Sequence, residues 1–347
     1  TYTEDESSAA TDVYKRQIVD PKKIDYVISN HTELDHSGSL ARVMHRVGED
    51  KPLVCSKMGH KNLPRHFSRN WNYQPVATGD ELSLGKKTLS FLETRMVHWP
   101  DSMFTYLKED KILFSSDGFG QHFAGPERFD DQIGEAIMLH AKKYFANILL
   151  LYVPLMKKYF KNIIDAGMEF NMICPDHGVI WRKDPAKIIN AYVKWCEQIP
   201  EKKAVVIYDT MWQSTEKMAE AIAAGINNEG VSAKPLHLRK WHRSEVMTEV
   251  FDAKAIVVGG PTLNNGLFPS LADFLSYIKG LKPMNKIGCA FGSYGWSGEA
   301  VKIITKELES MKFNIIDPGL KIQYVPDKQG LENCYAYGRK IGKTVNA

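Results

Sequence analysis

The residues best equipped for chemistry lie in Asn30-His31-Thr32-Glu33-Leu34-Asp35-His36-Ser37-Gly38, where four metal-binding side chains (His31, Glu33, Asp35, His36) fall within six positions. The segment follows residues 24–29, which read as a strand, and a loop at a strand end can turn alternate side chains inward. Three further candidates have similar settings. His98 sits in Met96-Val97-His98-Trp99-Pro100-Asp101, Asp117 follows the apolar run at 112–116, and His177 sits in Cys174-Pro175-Asp176-His177-Gly178. Four imidazoles and three carboxylates suffice for two metal ions with one carboxylate bridging. Taken singly, His98 or His177 is more often a hydrogen-bonded core histidine, and Asp117 before Gly118 a turn residue. The crowd at 31–36 resists that reading, because gathered ionisable groups carry a desolvation cost that only solvent or a cation offsets. His45, His60, His66 and His140 have no motif around them and are assigned to structure or surface. His122, five positions after Asp117, could stand behind the ligands.

A second set of residues is suited to an aromatic phosphate ester. Thr210, Met211, Trp212, Gln213, Ser214 and Thr215 follow an apolar strand and open a helix. Hydroxyls and backbone N–H groups at a helix N-terminus favour a phosphate, although Ser214-Thr215-Glu216 alone could be only a cap. Gly259-Gly260 leads into Pro261, Thr262, Leu263, Asn264 and Asn265, and Gly292 leads into Ser293, Tyr294, Gly295, Trp296, Ser297 and Gly298. Glycines allow close backbone approach, while Tyr294 and Trp296 offer flat surfaces to a ring system. The missing G-x-G-x-x-G disfavours a dinucleotide, and the missing G-x-x-x-x-G-K-[ST] a nucleoside triphosphate.

These loops need two different scaffolds. From residue 23 to about 192, short strands at 24–29 and 53–56 mix with a helix at 40–47. Hairpin signals follow at 82–93, around Gly85-Lys86, and at 105–114, then helices at 133–144, 153–166 and 185–195. A polar connector at 196–203 marks the boundary, giving domains 18–199 and 200–347. Beyond it, apolar strands at 204–208, 232–238, 255–259, 287–291 and 314–320 alternate with helices at 215–227, 270–279, 298–312 and 331–343. Fully apolar strands between helices mean a parallel sheet covered on both faces, with ligands at the carboxyl ends of its strands. Residues 1–17 lack apolar periodicity and are expected to form a disordered tail.

Composition narrows the class. With 347 residues and 44% hydrophobic content the chain can build two cores, which excludes an intrinsically disordered protein. The longest apolar run, 145–156, is interrupted by Asn147 and Pro154 and is too short to span a bilayer. Lys and Arg number 45 against 41 Asp and Glu, with no basic stripe, so no nucleic-acid partner is expected. Five scattered cysteines without a CxxC pair argue against a disulfide framework, an iron–sulfur cluster or a fused rubredoxin-type module, and the cytoplasm is the expected compartment.

H-x-E-x-D-H followed by His98, Asp117 and His177 resembles the metallo-β-lactamase-like domain of flavodiiron proteins, and the three loops of the second half resemble those of flavodoxins. The resemblance covers nearly the whole chain from about residue 18. It implies an αββα sandwich followed by a doubly wound five-stranded parallel sheet, FMN, and two non-haem irons. Hydrolytic relatives of the first fold carry H-x-H-x-D-H and zinc; Glu33, a harder anionic donor than imidazole, shifts the preference towards iron. By resemblance, His31, Glu33 and His98 hold one iron, Asp35, His36 and His177 the other, and Asp117 bridges; some relatives leave the His36 position unligated. Gln213 stands where many relatives have a smaller residue. Family members also carry a longer stretch before the metal motif. The chain is therefore expected to be an amino-terminally shortened sandwich with an unpaired sheet edge, and edges of that kind favour aggregation.

The implied activity is reduction of O2 to water, NO to N2O, or both. Four electrons reduce O2 to two waters, and a diferrous pair plus fully reduced flavin stores four; coupling two NO molecules takes two. No protein nucleophile is needed. Because flavin loops and metal ligands lie on separate domains, the family's answer is a head-to-tail homodimer with the flavin of one chain against the metals of the other. The electron donor is external: rubredoxin, reduced F420 or a reductase. Two alternatives stand beside this reading, a zinc hydrolase fused to a flavodoxin and a non-enzymatic flavodoxin-type electron carrier.

Overall fold

The computed structural model describes residues 19–347, so the tail expected at 1–17 lies outside the described residues. The chain divides into two compact units, one running to Ile137 and including Leu155–Ile189, the other comprising Met138–Pro154 and Asn190–Ala347.

In the first unit, strands β1 (Val27–Ser29), β2 (Pro52–Ser56) and β3 (Asn72–Val76) form a parallel sheet in that order. Strands β4 (Glu81–Ser83), β5 (Thr88–Glu93), β6 (Met103–Leu107), β7 (Ile112–Ser116) and β8 (Met172–Pro175) form a second sheet, antiparallel except for β7 beside β8. The period of two along β2 shows how the layers assemble. Leu53 and Cys55 pack on helix α2 (Leu40–Val47), through Leu40 and Met44, and on Leu63 of helix α3 (Lys57–Phe67). Val54 points the other way, onto Leu89, Phe91 and Met103 of the second sheet. This is the sandwich expected from the motif. Helix α1 (Leu34–Ser37) is the short turn between β1 and α2. Helices α4 (Ala136–Tyr144), α5 (Val153–Asp165) and α6 (Pro185–Cys196) fall close to their expected positions, and the division between the two units runs through each of them.

The second unit holds a wholly parallel sheet of β9 (Glu201–Tyr208), β10 (Ser232–His237), β11 (Ala253–Gly259), β12 (Ile287–Tyr294), β13 (Asn314–Ile315) and β14 (Leu320–Gln323). The order is β10-β9-β11-β12, and β13 and β14 both pair with β12. The fifth position, expected as one strand over 314–320, is therefore filled by two short ones. Asp317-Pro318-Gly319 explains the break: proline has no ladder donor, and Gly319 turns at φ 107°. Ala204, Val206 and Tyr208 pack with α7 (Ser214–Asn228) and α11 (Lys328–Asn346). The alternate residues Val205 and Ile207 are buried on the other face. Helices α8 (Arg243–Asp252), α9 (Pro269–Leu281) and α10 (Ala300–Ser310) complete the alternation. From β9 the chain steps to β10 on one side and then to β11 on the other, so the crevice beyond β9 and β11 is the topological switch point.

Candidate metal centre and flavin pocket

The seven expected ligands come from the loops beyond strand ends and from one short helix. His31 and Glu33 follow β1, and Asp35 and His36 ride on α1. His98 lies in the loop between β5 and β6. The neighbouring ends of β7 and β8 deliver Asp117 and His177 side by side, tied by Asp176 N–H donating to Ser116 O at 2.8 Å. Ser116 turns at φ 49°, a left-handed conformation that carries Asp117 off the strand. The buried Gln121 knits this corner together, its backbone N–H donating to His177 O at 3.0 Å and its side-chain Oε1 accepting from Val179 N–H at 2.7 Å. Gly178, at φ 84°, is required there, because a Cβ would stand 2.1 Å from Gln121 Oε1.

All four histidines turn Nε2 towards one centre. Glu33 Oε2 lies 3.3 Å from His31 Nε2 and 3.0 Å from His98 Nε2. Asp35 Oδ1 and Oδ2 lie 3.6 Å from His36 Nε2 and 3.3 Å from His177 Nε2 respectively. Asp117 stands between the two groups. Its Oδ2 faces His31 and His98 at 3.7 and 3.8 Å, and its Oδ1 faces His36 and His177 at 3.3 and 3.4 Å.

These separations suit donors shared by cations. Neighbouring donors around a first-row ion at about 2.1 Å stand roughly 3–3.5 Å apart. His36 Nε2 is buried and makes no well-aligned hydrogen bond despite Asp117 Oδ1 nearby. The set is nitrogen and oxygen without thiolate, and rich in carboxylate, which favours iron over zinc. Electrostatics agree. Burial raises the Asp117 carboxyl, but His177 and His36 outweigh it and hold the group well below the usual carboxylate range. Burial likewise opposes charge on His36, yet Asp117 and Asp176 push the ring up to about 10. The centre attracts positive charge strongly enough to hold protons where no metal competes. His122 belongs to none of the donor groups among the described residues; its ring stacks edgewise on His177 with centroids 5.7 Å apart.

In the second unit a cavity of about 450 Å³ opens at the carboxyl ends of the strands. Thr210, Met211, Trp212 and Ser214 line it from the first loop, residues 261–265 from the second, and 293–297 from the third. Gln213, Thr215 and Gly298 do not line it. Gln213 caps α7 at φ 66° without a side-chain hydrogen bond, leaving the helix's first N–H groups open to an anion. Thr215 is buried behind the loop, its Oγ1 3.0 Å from Ser293 Oγ. Thr210 Oγ1 is buried with no hydrogen-bond partner, as a waiting phosphate donor would be. The second and third loops touch through backbone, Thr262 N–H donating to Ser293 O at 3.0 Å. Gly292 permits this approach, since its Cβ would meet Gly260 O at 2.3 Å. Trp212 and Trp296, 83% and 85% exposed, flank the opening as aromatic walls.

Comparison with known proteins agrees with both halves. The flavodoxin family matches residues 206–338, and the ODP family of β-lactamases matches residues 9–178. The nitric oxide reductase of Moorella thermoacetica is 44% identical over 333 residues, 95% of this chain and 83% of that one. The rubredoxin-oxygen oxidoreductase of Megalodesulfovibrio gigas is 42% identical over 95% of this chain and 83% of its own length. The crystal structure of the flavodiiron protein from Giardia intestinalis superimposes with a TM-score of 0.92 at 34% identity, covering 96% of this chain and 83% of that one.

The chain belongs to the flavodiiron proteins. Its cofactors are those of the family, FMN in the flavodoxin-like half and a non-haem iron pair, and it is an oxidoreductase. Neither the zinc hydrolase nor the simple electron carrier is favoured by these relatives. No helix among the described residues is long and apolar enough to cross a membrane.

Sequence reasoning overlooked several residues of this flavodiiron protein. Asp101 and Asp176 contact Nδ1 of His31 and His36, each at 3.1 Å. Asp101 lies within the quoted motif of His98, but a role behind His31 needs the fold to reveal it. Tyr324 and Val325, after β14, also line the flavin cavity. Asp209 lies directly beneath the phosphate loop, accepting from Thr210 N–H at 2.7 Å and from Arg239 Nε at 2.9 Å.

Proposed function

We propose that this chain reduces O2 to water, NO to N2O, or both, with residues 18–199 forming the gas-reducing half and residues 200–347 the flavin half. His31, Glu33 and His98 would hold one iron and Asp35, His36 and His177 the other, with Asp117, whose two carboxylate oxygens face the two sets, shared between them. That two-sided placement of Asp117 is the observation that carries the reading. Bound iron and FMN supply redox equivalents, four for O2 and two for a pair of NO molecules. The protein's part is positional. His31 and Asp117 form a buried floor, whereas Glu33 and Asp35 are partly open to solvent and mark the side by which a diatomic gas and protons enter.

In the flavin half, Thr210, Ser214 and the N-terminus of α7 receive the phosphate, while Tyr294 and Trp296 flank the ring system. Gln213, Thr215 and Gly298 support the loops from behind. An external donor, rubredoxin, reduced F420 or a reductase, delivers electrons to the flavin. Transfer onward takes place across a head-to-tail homodimer, because electron tunnelling falls steeply with distance and the two halves of one chain are separate units. The setting is cytoplasmic, without membrane or nucleic-acid partners.

Anaerobic reconstitution with iron and FMN, reduction, and parallel stopped-flow mixing with O2 and NO test this. Flavin reoxidation that requires bound iron and yields water or N2O is expected. Reoxidation equally fast with and without iron contradicts it.

A further inference from the structure

His31 and His36 are each backed by a carboxylate on the nitrogen turned away from the centre, and the two carboxylates differ sharply. Asp176, beside His36, has a side chain 41% exposed. Asp101, beside His31, is fully enclosed. Its Oδ2 lies 3.1 Å from His31 Nδ1 and accepts from Thr32 N–H at 2.7 Å. Its backbone carbonyl accepts from Ser56 Oγ at 2.6 Å. The carboxylate is thus held from the loop after β1, and the backbone that carries it from the end of β2. Its other oxygen, Oδ1, is buried without a hydrogen-bond partner. A buried anion with one oxygen unsatisfied is costly unless its remaining partner carries positive character. His31 is that partner, and His31 Nε2 faces Glu33 and Asp117.

We propose that Asp101 is a positioning residue that fixes His31 as the Nδ1–H tautomer and strengthens its Nε2 as a donor. The iron beside Glu33 and His98 is then held more tightly, and stabilised more as ferric, than its neighbour. The proposal rests on the reading above that His31 is an iron ligand. A hydrogen bond to a buried, fixed carboxylate removes the alternative tautomer and raises imidazole basicity. Solvent screens the same interaction at Asp176. The two ions therefore differ although their direct donors are of matching type, two imidazoles and one carboxylate each with Asp117 shared.

Substitution Asp101→Asn preserves shape and removes charge, and Asp176→Asn is its comparator. Reconstituted holoproteins are dialysed against graded chelator, iron per chain is counted, and EPR-monitored redox titrations are run. Asp101→Asn is expected to weaken one of the two irons by about 10–100-fold and to raise the diiron midpoint potential, with a smaller change for Asp176→Asn. Wild-type retention and potential in Asp101→Asn overturn the proposal. A wild-type chain that binds no iron overturns the ligand reading instead, so the two failures are distinct. A measurement on unaltered protein guards against misfolding of the variant. In the diferrous form, the hyperfine-shifted His31 Nδ1–H signal should exchange slowly with D2O and that of His36 rapidly; equally fast loss of both overturns the proposal.

Discussion

Glu33 Oε2 lies 3.0 Å from His98 Nε2, although a whole sheet edge and several loops separate them in the chain. The hydrolases that this half resembles carry a histidine at the Glu33 position, so under the proposed ligand set Glu33 is the donor expected to favour iron. Glu33→His should shift the centre from iron to zinc when both are offered, abolish gas reduction and leave FMN content unchanged. Elemental analysis after competitive loading checks it. Undiminished iron selectivity would move the source of preference elsewhere.

Asp117 serves both groups of donors, so its loss should not resemble the loss of a terminal ligand. Asp117→Ala is expected to bring bound iron from two per chain towards none, whereas His98→Ala should spare one. Iron counting on both variants, at matched FMN occupancy, reads the contrast.

The flavin pocket separates two contributions. Trp296→Ala removes an aromatic wall and should weaken FMN and riboflavin alike, each by about tenfold. Ser214→Ala removes a hydroxyl from the phosphate loop and should weaken FMN roughly tenfold or more while sparing riboflavin. Fluorescence titration of apoprotein with both flavins distinguishes them, and equal losses in Ser214→Ala would misplace the phosphate.

Lys286 gives the second unit a pH signature. Burial depresses its ammonium to about 7, with Asp252 acting in the opposite direction, while Nζ donates to Phe251 O and Ala253 O at 2.7 Å. An unfolded lysine titrates near 10.4, so between about pH 7 and 10 the unfolded chain binds more protons than the folded one. Stability of this unit should therefore rise with pH across that window, the burial cost being fully present below it. Denaturant titrations from pH 7 to 10 should show the rise in wild type and a flatter profile in Lys286→Met.

The candidate ligands stand out in the sequence because several follow an apolar strand that announces itself by composition, and because four of them crowd into 31–36. The flavin loops were legible for the same reason. What stayed hidden depends on tertiary contact or unusual local chemistry. Helix α3 contains Pro64 and Gly59, which weaken any helical reading of Lys57–Phe67. Helix α8 is capped by His242, whose Nδ1 accepts from Ser244 N–H in place of a serine or aspartate cap. The place of Thr215 in the loop predicts a phosphate contact, and only the fold reveals that its Oγ1 also lies 3.0 Å from Ser293 Oγ, far along the chain.

The central claim is that seven nitrogen and oxygen side chains gather two coupled irons. Mössbauer and EPR spectroscopy of the anaerobically reconstituted holoprotein tests it most directly. An exchange-coupled pair at two irons per chain, EPR-silent when diferric and visible when mixed-valent, is the result predicted here. Isolated ferric signals, or full occupancy by zinc with iron excluded, would contradict it.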